Sequence, residues 1–258
     1  MLKEERKAVI KKHLEENKIV KTSDLSLRLN VSEATVRRYL KELEEEKNIT
    51  RVHGGATLGG SASPQPSYDV RKEKHLKEKQ MIAKLAFSFI KNEEVIFLDA
   101  GTTVYQIAEL IRENESDFSQ LSVITNSIVN AYTLSSSGVN LKVLGGDLRK
   151  DTLALVGRET ENALNQLWVN KLFLAASGVN LEHGITSTDI FQADLKNKLI
   201  QIAQEVILVV DSSKLNKMAL NRVANIDIID ILITDDQADQ EFLAKIKKND
   251  IKVYIAEK

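Results

Sequence analysis

The chain has 258 residues, 43% of them hydrophobic and 28% charged, with a formal net charge of −1, a composition that suits a soluble globular protein of about two domains. It contains no cysteine, which excludes disulfide frameworks, thiol nucleophiles and Cys-based zinc sites. His13, His53, His75 and His183 have no metal-ligand spacing, so neither metal nor cofactor is expected from them. No run of eighteen apolar residues occurs and residues 1–17 are charged throughout, so we expect no membrane span, no secretory signal and a cytoplasmic protein. Residues 1–60 carry 13 Lys/Arg against 10 Asp/Glu, a balance of +3 that leaves −4 for the remaining 198. This asymmetry is mild, and alone it implies no nucleic-acid partner.

In chain order, Val9, Ile10 and Leu14 fall at near-helical spacing among charges and predict a first helix over residues 3–16. Thr22 or Ser23 is expected to cap a second helix through Leu25 and Leu29, which ends at Asn30, a residue that tolerates the left-handed turn conformation. Ser32 caps a third. Within it Val36, Leu40 and Leu43 form one inward stripe, leaving Glu33, Thr35, Arg37, Arg38 and Lys41 on outward or flanking faces. Two short helices joined by a tight turn suit a helix-turn-helix, whose second helix presents its N-terminal side chains to base edges in the major groove. A small helical domain with solvated charges is the plainer explanation. The continuation "NITRVHGGATLG" favours the first: Ile49 and Val52 predict a short strand, Gly54-Gly55 a turn, and the result a wing carrying Arg51 and His53 toward the DNA backbone.

Residues 59–69, "GGSASPQPSYD", hold both prolines with clustered Gly and Ser and read as a linker. The expected organisation is a DNA-binding domain over 1–58, a linker over 59–74 and a second domain over 75–258. Strand-like runs at 95–98, 121–124, 141–144, 172–175, 206–210, 228–233 and 251–255 alternate with amphipathic stretches, one of them a helix predicted over 190–204. This pattern predicts a mainly parallel α/β sheet covered on both faces, with ligands at the carboxyl ends of its strands. Polar loops follow successive strands: Asp99 to Thr103, Thr125-Asn126-Ser127, Gly145-Gly146-Asp147, Ser177-Gly178, Asp211 to Lys214 and Thr234-Asp235.

In the stretch "FLDAGTTVYQ", Gly101 would let the backbone approach a ligand, and the amides of Thr102 and Thr103 at a helix N-terminus would offer donors to an anion. Taken alone it is explained as well by a Thr-capped turn. Convergence of several polar loops, with Lys214 and Lys196 as cations, favours an anion site. G-T-T is neither the dinucleotide fingerprint nor the Walker loop, which disfavours NAD and ATP.

Residues 31–56, "VSEATVRRYLKELEEEKNITRVHGGA", resemble the helix-turn-helix signature of DeoR-type bacterial transcriptional repressors. "LDAGTT", "TNS", "LGGDLR", "GITSTDIFQADLK" and "VVDSSK" resemble the sensor domain of the same family. That domain is similar in fold to ribose-5-phosphate isomerase and recognises phosphorylated sugars or related metabolites. The resemblance implies a homodimeric or homotetrameric repressor of a sugar-metabolism operon that binds double-stranded operator DNA and a phosphorylated sugar. It implies DNA contacts from Ser32, Glu33, Thr35, Arg37, Arg38, Arg51 and His53. Effector contacts would come from Asp99, Gly101, Thr102, Thr103, Asn126, Ser127 and Gly145, with Lys196 and Lys214 nearby. The family usually has Asp where Tyr39 stands, Gly at Asn30 and Asn48, and Glu at Gln192. Tyr39 thus removes a carboxylate that would orient an arginine, and Gln192 one that would hold a sugar hydroxyl.

Two other functions remain open on the residues alone. A sugar-phosphate isomerase-like enzyme with a fused DNA-binding domain would draw its base from Asp99, Asp147, Asp194, Asp211 or Lys214. An architectural DNA-binding protein would leave the second domain's pocket vestigial. Ligand sensing explains both halves of the chain, whereas catalysis explains one.

Overall fold

The computed structural model describes residues 3–17, 19–45, 49–52, 54–58 and 66–257. They fall into two compact units, Met1–Pro64 with Asp189–Phe191, and Gln65–Thr188 with Gln192–Lys258. Residues 59–65 of the linker predicted over 59–74, together with His53 and Asn48, lie outside the described residues.

In the first unit α1 (Lys3–Asn17), β1 (Ile19–Lys21), α2 (Thr22–Leu29) and α3 (Glu33–Glu45) are followed by a hairpin of β2 (Ile49–Val52) and β3 (Gly55–Leu58). Ile10, Leu14, Leu25, Leu29, Val36, Leu40 and Leu43 form one buried core with Val20, Ile49 and Ala56. Each such aliphatic contributes about 1.5–3 kcal/mol by leaving water. Asn30 closes α2 at φ 50, ψ 52, donating its N–H toward Leu27 and Ser26, as its tolerance of the left-handed region leads one to expect.

Two local expectations are corrected. Neither Thr22 nor Ser23 caps α2: the N-cap is Lys21, with no side-chain cap. The reason is β1, a strand too short to show a period. It runs directly into α2 and pairs antiparallel with β3, so the Thr22 N–H finds the Gly54 carbonyl at 2.7 Å and needs no hydroxyl. The wing is therefore three-stranded, in the order β1-β3-β2. Gly54 makes its turn at φ +81, and Gly55 lets the Val20 carbonyl oxygen lie 1.9 Å from where a Cβ would stand.

The second unit runs α4 (Tyr68–Glu73), α5 (Leu76–Phe87), β4 (Val95–Leu98), α6 (Thr102–Glu113), β5 (Ser122–Thr125), α7 (Ile128–Leu134), β6 (Asn140–Val143), β7 (Asp147–Arg149), β8 (Ala154–Val156) and α8 (Arg158–Leu164). It continues through β9 (Val169–Leu174), β10 (Gly178–Asn180), β11 (Gly184–Ser187), α9 (Ile190–Gln201, which belongs to this unit from Gln192 on), β12 (Ala203–Val209), β13 (Asn221–Ala224), β14 (Ile231–Asp235), α10 (Gln240–Lys247) and β15 (Lys252–Ala256). The seven apolar runs of the sequence become one seven-stranded sheet, β15-β14-β12-β9-β4-β5-β6, with every pair parallel. Ile96, Phe97 and Leu98 on β4, and all five residues of β14, are buried consecutively. Successive strand side chains point to opposite faces, so unbroken burial means both faces are covered.

Boundaries shift where polar residues end the pattern. Residues 226–228 form a 3-10 turn and β14 begins only at Ile231, while α9 stops at Gln201 because β12 begins at Ala203. The short antiparallel pieces are additional: the β7–β8 hairpin and a three-stranded β10-β11-β13 sheet. Strands of three or four residues carry too few side chains for a period of two to register.

Candidate nucleic-acid interface and anion site

On α3, Glu33, Ala34, Arg37, Arg38 and Lys41 are exposed while Val36, Tyr39, Leu40 and Leu43 are buried. The exposed set recurs at i, i+1, i+4, i+5 and i+8, one continuous face of a helix. Ser32 accepts the Thr35 N–H at 3.3 Å and its hydroxyl lies 3.0 Å from that of Thr35, so Ser32 caps α3 and Thr35 is the residue it caps. Arg37 is tied to Glu33 by an ion pair of 2.9 Å. The backbone of Arg51 lies on β2, and His53 lies outside the described residues.

What aims this face is α1. Lys3 and Lys7 reach Glu42 at 2.9 and 2.8 Å, and their hydrogen bonds hold its carboxyl down at about 2. Arg6 donates to the Tyr39 hydroxyl at 3.3 Å, and this bond is the first cause of the lowered phenol pKa.

In the second unit the loops after the parallel strands meet at one edge. Leu98 is in register with Thr125, so the turns that follow β4 and β5 are neighbours, and Asn130 donates to the Asp99 carbonyl at 3.3 Å across them. Gly101 is the N-cap of α6, with extended backbone, no side-chain cap and no acidic residue in the first turn. Thr102 and Thr103 are only 7% and 6% exposed. The opening N–H groups of a helix have no intrahelical acceptor, so this positive dipole end is both buried and uncompensated. Asn126, 1% exposed, donates to the Leu155 carbonyl at 3.2 Å, but its Oδ1 is buried without a partner.

The glycine at 101 has a different cause from the one its sequence suggests. Its φ of −158° suits any residue, but a Cβ there would lie 2.4 Å from the Cβ of Ala175. The absence of a side chain serves the close approach of the β4 and β9 termini. At Gly145 an added Cβ would meet nothing within 4 Å, and its carbonyl accepts from the Thr160 hydroxyl at 2.6 Å.

Asp99 and Lys196 are each other's partners. Asp99 Oδ2 accepts from the Lys196 ammonium and from the Ala175 N–H at 3.0 Å; Lys196 also donates to the Ala175 carbonyl at 2.9 Å. The residues are 1% and 4% exposed, so Lys196 is no solvated helical lysine. The pair braces β4, β9 and α9. Ser127 uses its hydroxyl to cap α7 and its N–H on Thr125. Lys214 sits on a 3-10 turn held by Asp211, whose Oδ1 accepts from Ser213, and by Asp235, which accepts the Ser212 N–H at 2.7 Å. Gln192, where the family usually has Glu, donates to the Thr152 hydroxyl at 2.6 Å.

Three residues near this edge escape a reading by motif. Lys79 lies on the buried stripe of α5 with Ile82, Ala83 and Ala86, and a lysine at an apolar stripe position was the available signal. Its ammonium donates to the carbonyls of Arg71 and, at 2.6 Å, Lys74, satisfying the C-terminal end of α4. Burial lowers its pKa to about 8, with Asp211 opposing and Lys214 adding to the shift. Arg71 donates to the carbonyls of Pro66 and Asp151 at 3.0 and 3.2 Å. Thr152, bonded to Gln192, belongs with Asp151 to the turn between β7 and β8.

Residues 6–61 match the family model of the DeoR-like helix-turn-helix domain, and residues 74–236 that of the DeoR C terminal sensor domain. The chain is 34% identical over 258 residues to the HTH-type transcriptional repressor GlcR of Bacillus subtilis, covering 100% of this chain and 98% of that one. It is 33% identical over 253 residues to the HTH-type transcriptional regulator GlpR of Haloferax volcanii, covering 98% of each. Among solved structures, a D-ribose-5-phosphate isomerase in complex with phospho-erythronic acid aligns with a TM-score of 0.42 and 17% identity over 54% of each chain. The full-length relatives are named regulators and repressors, not enzymes, and no described helix is long and apolar enough to cross a membrane. With a winged helix-turn-helix at its N-terminus and the sensor fold behind it, the chain belongs to the DeoR family of DNA-binding transcriptional regulators.

Proposed function

We propose that the chain is a cytoplasmic, homo-oligomeric repressor of a sugar-metabolism operon, whose second unit binds a phosphorylated sugar that changes its hold on operator DNA. Residues 1–58 carry the operator contacts, 59–74 link and 75–258 sense. The face of α3, led by Arg37 and Arg38, enters the major groove; Ser32 and Thr35 shape its start, and Arg51 and His53 on the wing meet phosphates.

The observation that carries the sensing reading is the α6 N-terminus: buried, uncapped and free of acid, with the unpartnered Asn126 Oδ1 on the neighbouring turn. The N–H groups of Thr102 and Thr103 donate to the phosphoryl oxygens. Lys196 and Lys214 supply countercharge, and the Asn126 carboxamide accepts from a sugar hydroxyl. Sensing is favoured over turnover by the full-length relatives, which are named regulators and repressors. Fluorescence anisotropy of a labelled duplex from the upstream DNA of its own operon, titrated with protein in the presence of individual pentose and hexose phosphates, tests the reading. One of them should shift operator affinity. If none does, and none raises the melting temperature of the protein, the site holds no sugar phosphate.

A further inference from the structure

We propose that Tyr39 is the seat that aims Arg38 at the operator, which makes this buried aromatic a positioning residue for sequence readout. The inference rests on the reading of α3 as the recognition helix. The two adjacent arginines of its exposed face are held in different ways. Arg37 is bound to the Glu33 carboxylate at 2.9 Å, a partner it must leave before it can offer both of its terminal N–H groups to a base. Among the described residues no carboxylate pairs with Arg38; its guanidinium carbon instead lies 5.6 Å from the centroid of the Tyr39 ring, within the range of a cation–π contact. A π face orients a guanidinium while sparing more of its fork of donors than a carboxylate does, and a bidentate pair on guanine needs that fork.

The seat is itself fixed. Tyr39 is 3% exposed on the inward side of α3, and its hydroxyl accepts from Arg6 of α1 at 3.3 Å. The ring therefore cannot turn away without leaving that bond and the core between α1 and α3. The hydrogen bond from Arg6, with burial opposing it and a weaker one from Arg38 adding to it, holds the phenol below its ordinary pKa. One side chain thus joins the helix that anchors α3 to the arginine that projects from it.

The test uses the full chain, a duplex from the upstream DNA of its own operon and a scrambled duplex of equal length, and reads the ratio of the two affinities together with the salt slope of each. Tyr39→Phe keeps the ring and should keep the ratio. Tyr39→Met fills the core without a π face; it should lower the ratio about two- to fivefold, leaving scrambled-duplex affinity and both salt slopes unchanged. Arg38→Ala should lower it further, on the order of tenfold or more. Tyr39→Met added to Arg38→Ala should then change nothing more, a result that a merely structural role for Tyr39 would not give. Circular dichroism confirms the fold, and Tyr39→Leu replaces Tyr39→Met if the latter is unfolded. An unchanged ratio in the folded Tyr39→Met or Tyr39→Leu protein overturns the proposal, as does an equal loss on both duplexes. If Arg37→Ala and Arg38→Ala both leave the ratio unchanged, the recognition-helix reading falls and takes the seat with it; if only Arg38→Ala is silent, the seat alone falls.

Discussion

The Asp99–Lys196 pair offers the sharpest test of the sensor unit. Asp99→Asn keeps the size and one acceptor for the Ala175 N–H, but leaves the Lys196 ammonium, 4% exposed, facing an uncharged amide. Removing one partner of a buried ion pair costs about 3–5 kcal/mol, because the other charge stays desolvated. The Ala175 carbonyl, 2.9 Å from Lys196, partly solvates the stranded ammonium, which places the expected loss near the lower end, about 3 kcal/mol. For a unit of this size about 1 kcal/mol moves the midpoint by roughly 2–4 °C, so the sensor transition in a calorimetric scan should fall by roughly 6–12 °C. Lys196→Met combined with Asp99→Asn removes the stranded charge and should recover part of the loss, giving a coupling between the two sites of more than about 1 kcal/mol. A fall of less than about 2 °C in Asp99→Asn, or strict additivity in the double variant, would refute the assignment of this pair as the brace between β4, β9 and α9.

Thr102→Asp sets a like charge beside the proposed phosphoryl group, so the sugar phosphate should lose its effect on anisotropy while operator affinity without effector stays as in the wild type; a folded variant that answers the effector at unchanged concentration reduces the α6 N-terminus to an ordinary turn. Gly101→Ala brings its Cβ to 2.4 Å from that of Ala175 and should cost about 1–3 kcal/mol of stability, with Ala175→Gly restoring most of it; a neutral Gly101→Ala would show that glycine is kept for another reason. Lys79, with its pKa lowered by burial to about 8 from 10.5, is less protonated in the folded than in the unfolded chain between those values, so this group makes stability rise with pH across that window and adds no slope below it. Denaturant midpoints at pH 7.5 and 9.5 should therefore diverge between wild type and Lys79→Met, and parallel behaviour of the two proteins excludes the shift.

Much of the architecture follows from local chemistry. Val36, Leu40 and Leu43 at helical spacing, Asn30 in the left-handed turn and Gly54 at positive φ specify the helix-turn-helix and its wing with little help from distant residues, since spacing and backbone tolerance are properties of the chain itself. The seven strands of the parallel sheet were equally visible, because a strand buried on both faces is a continuous apolar run. Partnership is what only the tertiary structure decided. Lys196 and Asp99 are 97 residues apart and meet where α9 reaches the adjoining ends of β4 and β9 at Ala175; no local pattern distinguishes that lysine from a solvated one. Gly101 is glycine because of Ala175, and the Thr22 N–H goes uncapped because a wing carbonyl lies opposite it. Tyr39 and Lys79 carry the same lesson: a side chain's type is written in the sequence, but the group that holds it comes from whichever distant segment packing brings alongside, and it is that group which sets its charge, its direction and its use.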